Sequence, residues 1–167
     1  TERMVLDSSG LNITLADNNP QLTLTSTDAD ANVGPVLKLY RNSGSPADND
    51  VLGRIQWSAE DDAGNDSTFA RINVVATDVS NNSEDARMEF APAVADDFTP
   101  TMSLSGGNVG IGTTTPSTGF NANRNNLVIS DASAAGLTLN STATDGSSII
   151  SMTDGTGTLA GEIHYVH

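Results

Sequence analysis

The sequence predicts an all-β protein, on three observations. Apolar residues alternate with polar ones in short runs along the whole chain, the period of a strand. Turn signals separate these runs at intervals of roughly 8–12 residues. No window carries an i, i+3, i+4, i+7 apolar stripe, so no amphipathic helix is expected.

The runs follow one another in order. Leu11, Ile13 and Leu15 alternate; so do Leu22 with Leu24, Leu37 with Leu39, and Ile55 with Trp57. Ala70-Ile72-Val74-Ala76 is the cleanest, with Arg71, Asn73 and Val75 opposite. Ala86-Met88-Phe90 follows, with Arg87 and Glu89 read as outward. Met102-Leu104, Val109-Ile111, Leu127-Ile129, Leu137-Leu139, Ile150-Met152 and Ile163-Tyr165 complete the series. Between them lie Ser43-Gly44-Ser45-Pro46, Ala63-Gly64-Asn65-Asp66, Gly106-Gly107, Asp145-Gly146 and Asp154-Gly155, all turn-forming. Trp57 alternates with Ile55, which reads as core rather than as a sugar-stacking platform.

Composition sets the class of partner. Leu, Val, Ile and Phe together make 36 of 167 residues, and the net charge is -14 with a pI near 4.1. That apolar share sits barely above the roughly 20% associated with disorder. The apolar residues are nevertheless ordered into alternating runs. The expectation is an ordered chain whose core is too thin for a stable monomer, with burial between chains making up the deficit. Seven basic residues, of which Lys38 is the one lysine, oppose nucleic-acid binding. No apolar stretch approaches the ~20 residues of a membrane span. Cysteine is absent, which excludes disulfides and thiolate metal sites. The chain opens Thr1-Glu2-Arg3, and no signal peptide is expected in it.

Charge divides the chain. Twelve of its 21 acidic residues lie between Asp48 and Asp97, whereas 101–159 is nearly uncharged and rich in Gly, Ser, Thr and Asn. A weak internal repeat accompanies this. Gln21-Leu-Thr-Leu-Thr-Ser-Thr27 parallels Gly136-Leu-Thr-Leu-Asn-Ser-Thr142, and Gly53-Arg-Ile-Gln-Trp57 parallels Gly161-Glu-Ile-His-Tyr165. Leu6-Asp-Ser-Ser-Gly-Leu-Asn-Ile13 is a degenerate copy of Leu104-Ser-Gly-Gly-Asn-Val-Gly-Ile111. The expected organisation is the end of a preceding connector (1–15), an acidic β module (16–100), a Gly/Thr-rich connector (101–126) and the start of a second, truncated β module (127–167). On this reading the chain is cut from a longer repetitive protein.

The decapeptide Gly107-Asn-Val-Gly-Ile-Gly-Thr-Thr-Thr-Pro116 is the most informative string. Val109 and Ile111 share one face of a strand. Gly110 and Gly112 leave the other face bare, which permits close backbone approach. Such a strand suits chains crowded around an axis, with Leu104, Val109, Gly110, Ile111 and Gly112 as the axial packing residues. The string resembles an element of bacteriophage tail-fibre and appendage proteins. So do Gly53-Arg-Ile-Gln-Trp57, Asp61-Asp-Ala-Gly-Asn65, Phe69-Ala-Arg-Ile72 and Ala86-Arg-Met-Glu-Phe90. The resemblance implies an elongated homotrimeric β-fibre of short-stranded sandwich or prism modules joined by slim intertwined connectors. It further implies a virion, extracellular location, neighbouring fibre segments as partners, and a mechanical role that supports host recognition. It transfers no catalytic residue, because the shared motifs are structural. Two alternatives stay open: a module that itself binds a bacterial surface glycan or protein receptor, and a calcium-stiffened adhesin repeat.

No enzyme motif stands out. There is no Gly-x-Ser-x-Gly turn, and no carboxylate pair is distinguished among 21 acids. His164 alternates with Ile163 and Tyr165 and reads as an outward strand position. Asp28-Ala-Asp-Ala-Asn32 has the opening spacing of an EF-hand loop, but Val33 and Leu39 stand where that loop needs Gly and Glu. Asp61, Asp62, Asn65 and Asp66 are the weak calcium candidates; the expected reading of their turn is a solvated hairpin tip without metal. No cofactor is expected.

Overall fold

The computed structural model describes residues 3–8, 10–118, 126–139, 147–153 and 159–166. It is all-β, with no helix among the described residues, and so none long and apolar enough to cross a membrane. The strands are β1 (Arg3–Asp7), β2 (Gly10–Thr14), β3 (Val51–Glu60), β4 (Asp66–Asp78), β5 (Asp85–Pro92), β6 (Met102–Ser105), β7 (Asn108–Ile111), β8 (Leu127–Ile129), β9 (Ser147–Thr153) and β10 (Leu159–Val166). The chain divides into two units, Thr1–Tyr40 and Arg41–His167.

In the first unit, β1 and β2 form an antiparallel hairpin. The expected strands at Leu22–Leu24 and Leu37–Leu39 are absent: this segment is irregular and exposed. Alternation supplies a strand's faces but not its ladder, and among the described residues no strand pairs with these. Leu137–Leu139 likewise lies outside any strand.

In the second unit, β9 and β10 form a hairpin, and β3-β4-β5-β6-β7-β8 form one mixed sheet in that order. Five of its strands run antiparallel in a meander, and β8 joins β7 in parallel. The stretch read as a connector thus contributes β6 and β7 to the same sheet as the acidic strands. Gly106 and Gly107 form the two-residue turn between them, with φ of 57° and 79°, the positive pair that a tight hairpin requires. The hairpins β1–β2 and β6–β7 share one register. Met4↔Ile13 and Leu6↔Leu11 in the first correspond to Met102↔Ile111 and Leu104↔Val109 in the second.

Candidate functional site

Paired residues of neighbouring strands put their side chains on the same side of a sheet. The register therefore sorts the six strands into two faces. One row runs Ile55-Ile72-Phe90-Met102-Ile111-Ile129, and the row beside it runs Gly53-Val74-Met88-Leu104-Val109-Leu127. Between them, on the opposite face, runs Arg54-Asn73-Glu89-Ser103-Gly110-Val128. One face is apolar across all six strands, and the other is largely polar.

It is the polar face that is covered. Asn73 is 5% exposed, Glu89 7% and Ser103 0%. The segment after β7 folds back over it. Ser103 Oγ donates to the Thr113 carbonyl at 2.8 Å, and Pro116 is fully buried. On the same face a chain of hydrogen bonds crosses the strands. Arg54 Nε donates to Asn73 Oδ1 at 2.8 Å, Asn73 Nδ2 to Glu89 Oε2 at 3.4 Å, and Arg87 Nε to Glu89 Oε1 at 2.7 Å. The buried carboxylate is therefore charge-paired, the condition under which burial is tolerable. Arg71 on the same face stacks on Phe98, 4.3 Å from its ring centre, and its Nη2 reaches the Phe98 carbonyl at 3.5 Å; its buried Nε has no hydrogen-bond partner.

The apolar face is open. Trp57 is 51% exposed and Ile55 47%; Met88, Leu104 and Leu127 are exposed as well. Two expectations are corrected here. Trp57 is not buried in the single chain: it stands half exposed on edge strand β3. Arg87 and Glu89 do not point outward into water: they are largely buried and paired with each other at 2.7 Å.

The residues assigned to axial packing divide between the faces. Leu104, Val109 and Ile111 lie on the apolar face. Gly110 lies on the covered face, where an added Cβ would stand 2.5 Å from the Thr113 carbonyl oxygen and 2.9 Å from Ser103 Oγ. Gly112 has φ of 72°, and a Cβ there would collide with the Ser130 carbonyl oxygen. The close approach these glycines permit is to backbone of their own chain. Gly110 lies within β7, whereas Gly112 stands just past its end.

The calcium candidates form the β3–β4 turn. Asp61 Oδ1 accepts from the backbone N–H of Ala63 at 2.9 Å and of Asn65 at 2.8 Å, and both its oxygens lie within reach of Asn65 Nδ2. The Asn65 side chain, then its backbone N–H, holds the Asp61 carboxyl below the ordinary carboxylate value. This carboxylate is thus used by its own turn, which Gly64 closes with φ of 81°. Asp62, Asn65 and Asp66 are exposed. Asp30 is occupied similarly by Asn32, at 2.8 Å to the backbone and 2.6 Å to the side chain. Among the described residues no group of three His, Asp or Glu converges where it could hold a metal ion. His164 lies in β10 opposite Ile149, its side chain outside the described residues.

The feature that sequence reasoning missed is the covered polar row. Its signal was present in the triplet Arg54, Asn73 and Glu89, which share a face and are matched in charge and hydrogen-bonding capacity. The chain matches no protein-family model, and a search of curated proteins found no significant match.

Proposed function

We propose that this chain is a structural segment of a homotrimeric bacteriophage tail fibre, a mechanical spacer that supports host recognition by other parts of the appendage. The observation that carries this reading is the repeated hairpin. β1–β2 and β6–β7 pair Met with Ile and Leu with Leu or Val at matching positions, and repetition of one small β unit along a chain is the construction of an extended array. The resemblance of the decapeptide and of the Gly53–Phe90 motifs to phage-fibre modules supplies the particular class. The carboxylates with the most hydrogen bonds are engaged in their own turns, which favours a structural role over a catalytic one. A chain with few apolar residues gains stability most readily by covering them with further copies of itself.

Light scattering and sedimentation of the purified chain test the reading. The expected species is folded, elongated in its frictional ratio, and close to three times the 17.2 kDa chain mass. A folded species at 17.2 kDa overturns it.

A further inference from the structure

We infer that the apolar face of the six-stranded sheet is where one copy of this chain packs on the next, and that the loop-covered face takes no part. The inference rests on the trimeric reading above and assigns its contact surface. The two apolar rows cross five interstrand spacings, about 24 Å at ~4.8 Å each. A continuous apolar surface of that reach marks an interaction site rather than ordinary surface.

The occupant is a second copy, for two reasons of chemistry. The first is charge. The chain carries -14, and copies of it repel one another over most of their surface. The two rows contain no ionisable side chain, so this face is where two identical acidic chains approach at least electrostatic cost. The second is the lack of polar anchors. A glycan needs several side-chain donors and acceptors beside an aromatic platform, and the rows around Trp57 and Phe90 offer none. A face of Ile, Leu, Val, Met and Phe is complementary to another like itself, as the inner faces of stacked sheets are. Leu104, Val109 and Ile111 therefore belong to a contact that extends through Phe90 and Ile72 to Ile55, six strands wide instead of one hairpin wide.

The experiment places a charge on each face in turn. Ile55→Asp puts a carboxylate on the open face at an exposed position of edge strand β3. Gln56→Asp puts the same group one residue along, on the other face, where Gln56 is also exposed. Mass is read by light scattering across a dilution series, with far-UV circular dichroism as the check on folding. The expected result is a trimeric wild type, a trimeric Gln56→Asp variant, and an Ile55→Asp variant that dissociates at concentrations at least tenfold higher than wild type. Should Ile55→Asp fail to fold, iodide quenching of Trp57 in wild type decides. Protection in the assembly, lost on dilution to monomer, supports the inference; a Trp57 quenched equally in trimer and monomer overturns it. A trimeric wild type whose Ile55→Asp variant dissociates no more readily than wild type overturns the inference and leaves the trimeric reading standing. A monomeric wild type overturns the reading itself.

Discussion

The two faces of the six-stranded sheet come from the same strands, one residue apart, yet they meet opposite surroundings. Asn73, Glu89 and Ser103 are buried on one face, with Arg54 at its edge, bonded to one another or, for Ser103, to the backbone of the loop after β7. Ile55, Ile72, Phe90 and Met102, each one residue removed from them, lie on the apolar face, Ile55 exposed and the other three half-buried. In an ordinary two-layer domain the apolar face is the covered one. The inversion teaches that, among the described residues, the chain's own loop lies over polar side chains while exposed apolar side chains such as Ile55 and Leu127 stand on the other face. It follows that the covered face should govern the fold of one chain, and the open face its association.

The largest expected effect on folding therefore lies on the covered face. Gly112→Val combines a positive φ that β-branched residues resist with a collision against the Ser130 carbonyl. Strain and overpacking together should cost roughly 3 kcal/mol or more. Urea unfolding measures it as a lower midpoint. A midpoint equal to wild type would remove the intrachain account of the decapeptide's glycines.

Glu89→Ala should rank next. It strips Arg87 and Asn73 of their buried acceptor, and hydrogen bonds to charged groups contribute about 1.5–3 kcal/mol each. The loss should appear in the unfolding free energy and should not depend on protein concentration once copies are apart. If Glu89→Ala instead weakened association while sparing the fold, the assignment of roles to the two faces would be reversed.

Alternation in Ala70–Ala76 and Ala86–Phe90 placed strands, faces and turns correctly, because period two is a local property. Which face would be covered was not local. It depends on Thr113–Pro116 returning over Ser103, a contact between residues about ten positions apart that no periodicity encodes. Arg87 and Glu89 were read as solvated because charged residues usually are; their mutual pairing is what permits the exception. Leu22–Leu24 and Leu37–Leu39 show the same limit from the other side, having a strand's pattern but no partner strand among the described residues. For the candidate site, Leu104, Val109 and Ile111 were legible as an apolar set. The width of the surface was not, since it needs the register of all six strands.

A smaller effect on folding is expected on the open face. Leu127→Ser exchanges an exposed side chain on a terminal strand, and surface changes of this kind stay within about 0.5 kcal/mol for the isolated chain. Chemical unfolding below the dissociation concentration should show little change, whereas the assembled form should lose melting temperature. Equal losses in both forms would mean that Leu127 is buried by its own chain.

The smallest effect belongs to the rim, where charge sits on neither face. Asp61, Asp78 and Asp97 cap turns around the sheet, and each is held below the ordinary carboxylate value of 3.8: Asp61 by Asn65, Asp78 by Ser80, and Asp97 by the Thr99 hydroxyl and then the Phe98 N–H. A carboxyl whose folded value is depressed adds stability above its unfolded value and loses that contribution as pH falls through the folded one. These turns should therefore weaken below about pH 4, towards their lowered values. Repulsion among the remaining acids acts in the opposite sense, since protonating them relieves a net charge of -14. From pH 7 to pH 5 carboxylates near the ordinary value stay almost wholly ionised, so melting temperature should hold nearly level. Below about pH 4 the rim turns lose their acceptors, and melting temperature should fall. Salt should act on the repulsion, which is long-range, more than on this fall, which is a matter of contact hydrogen bonds. A melting temperature that rose all the way to pH 2.5 would show that the rim turns contribute nothing to the fold.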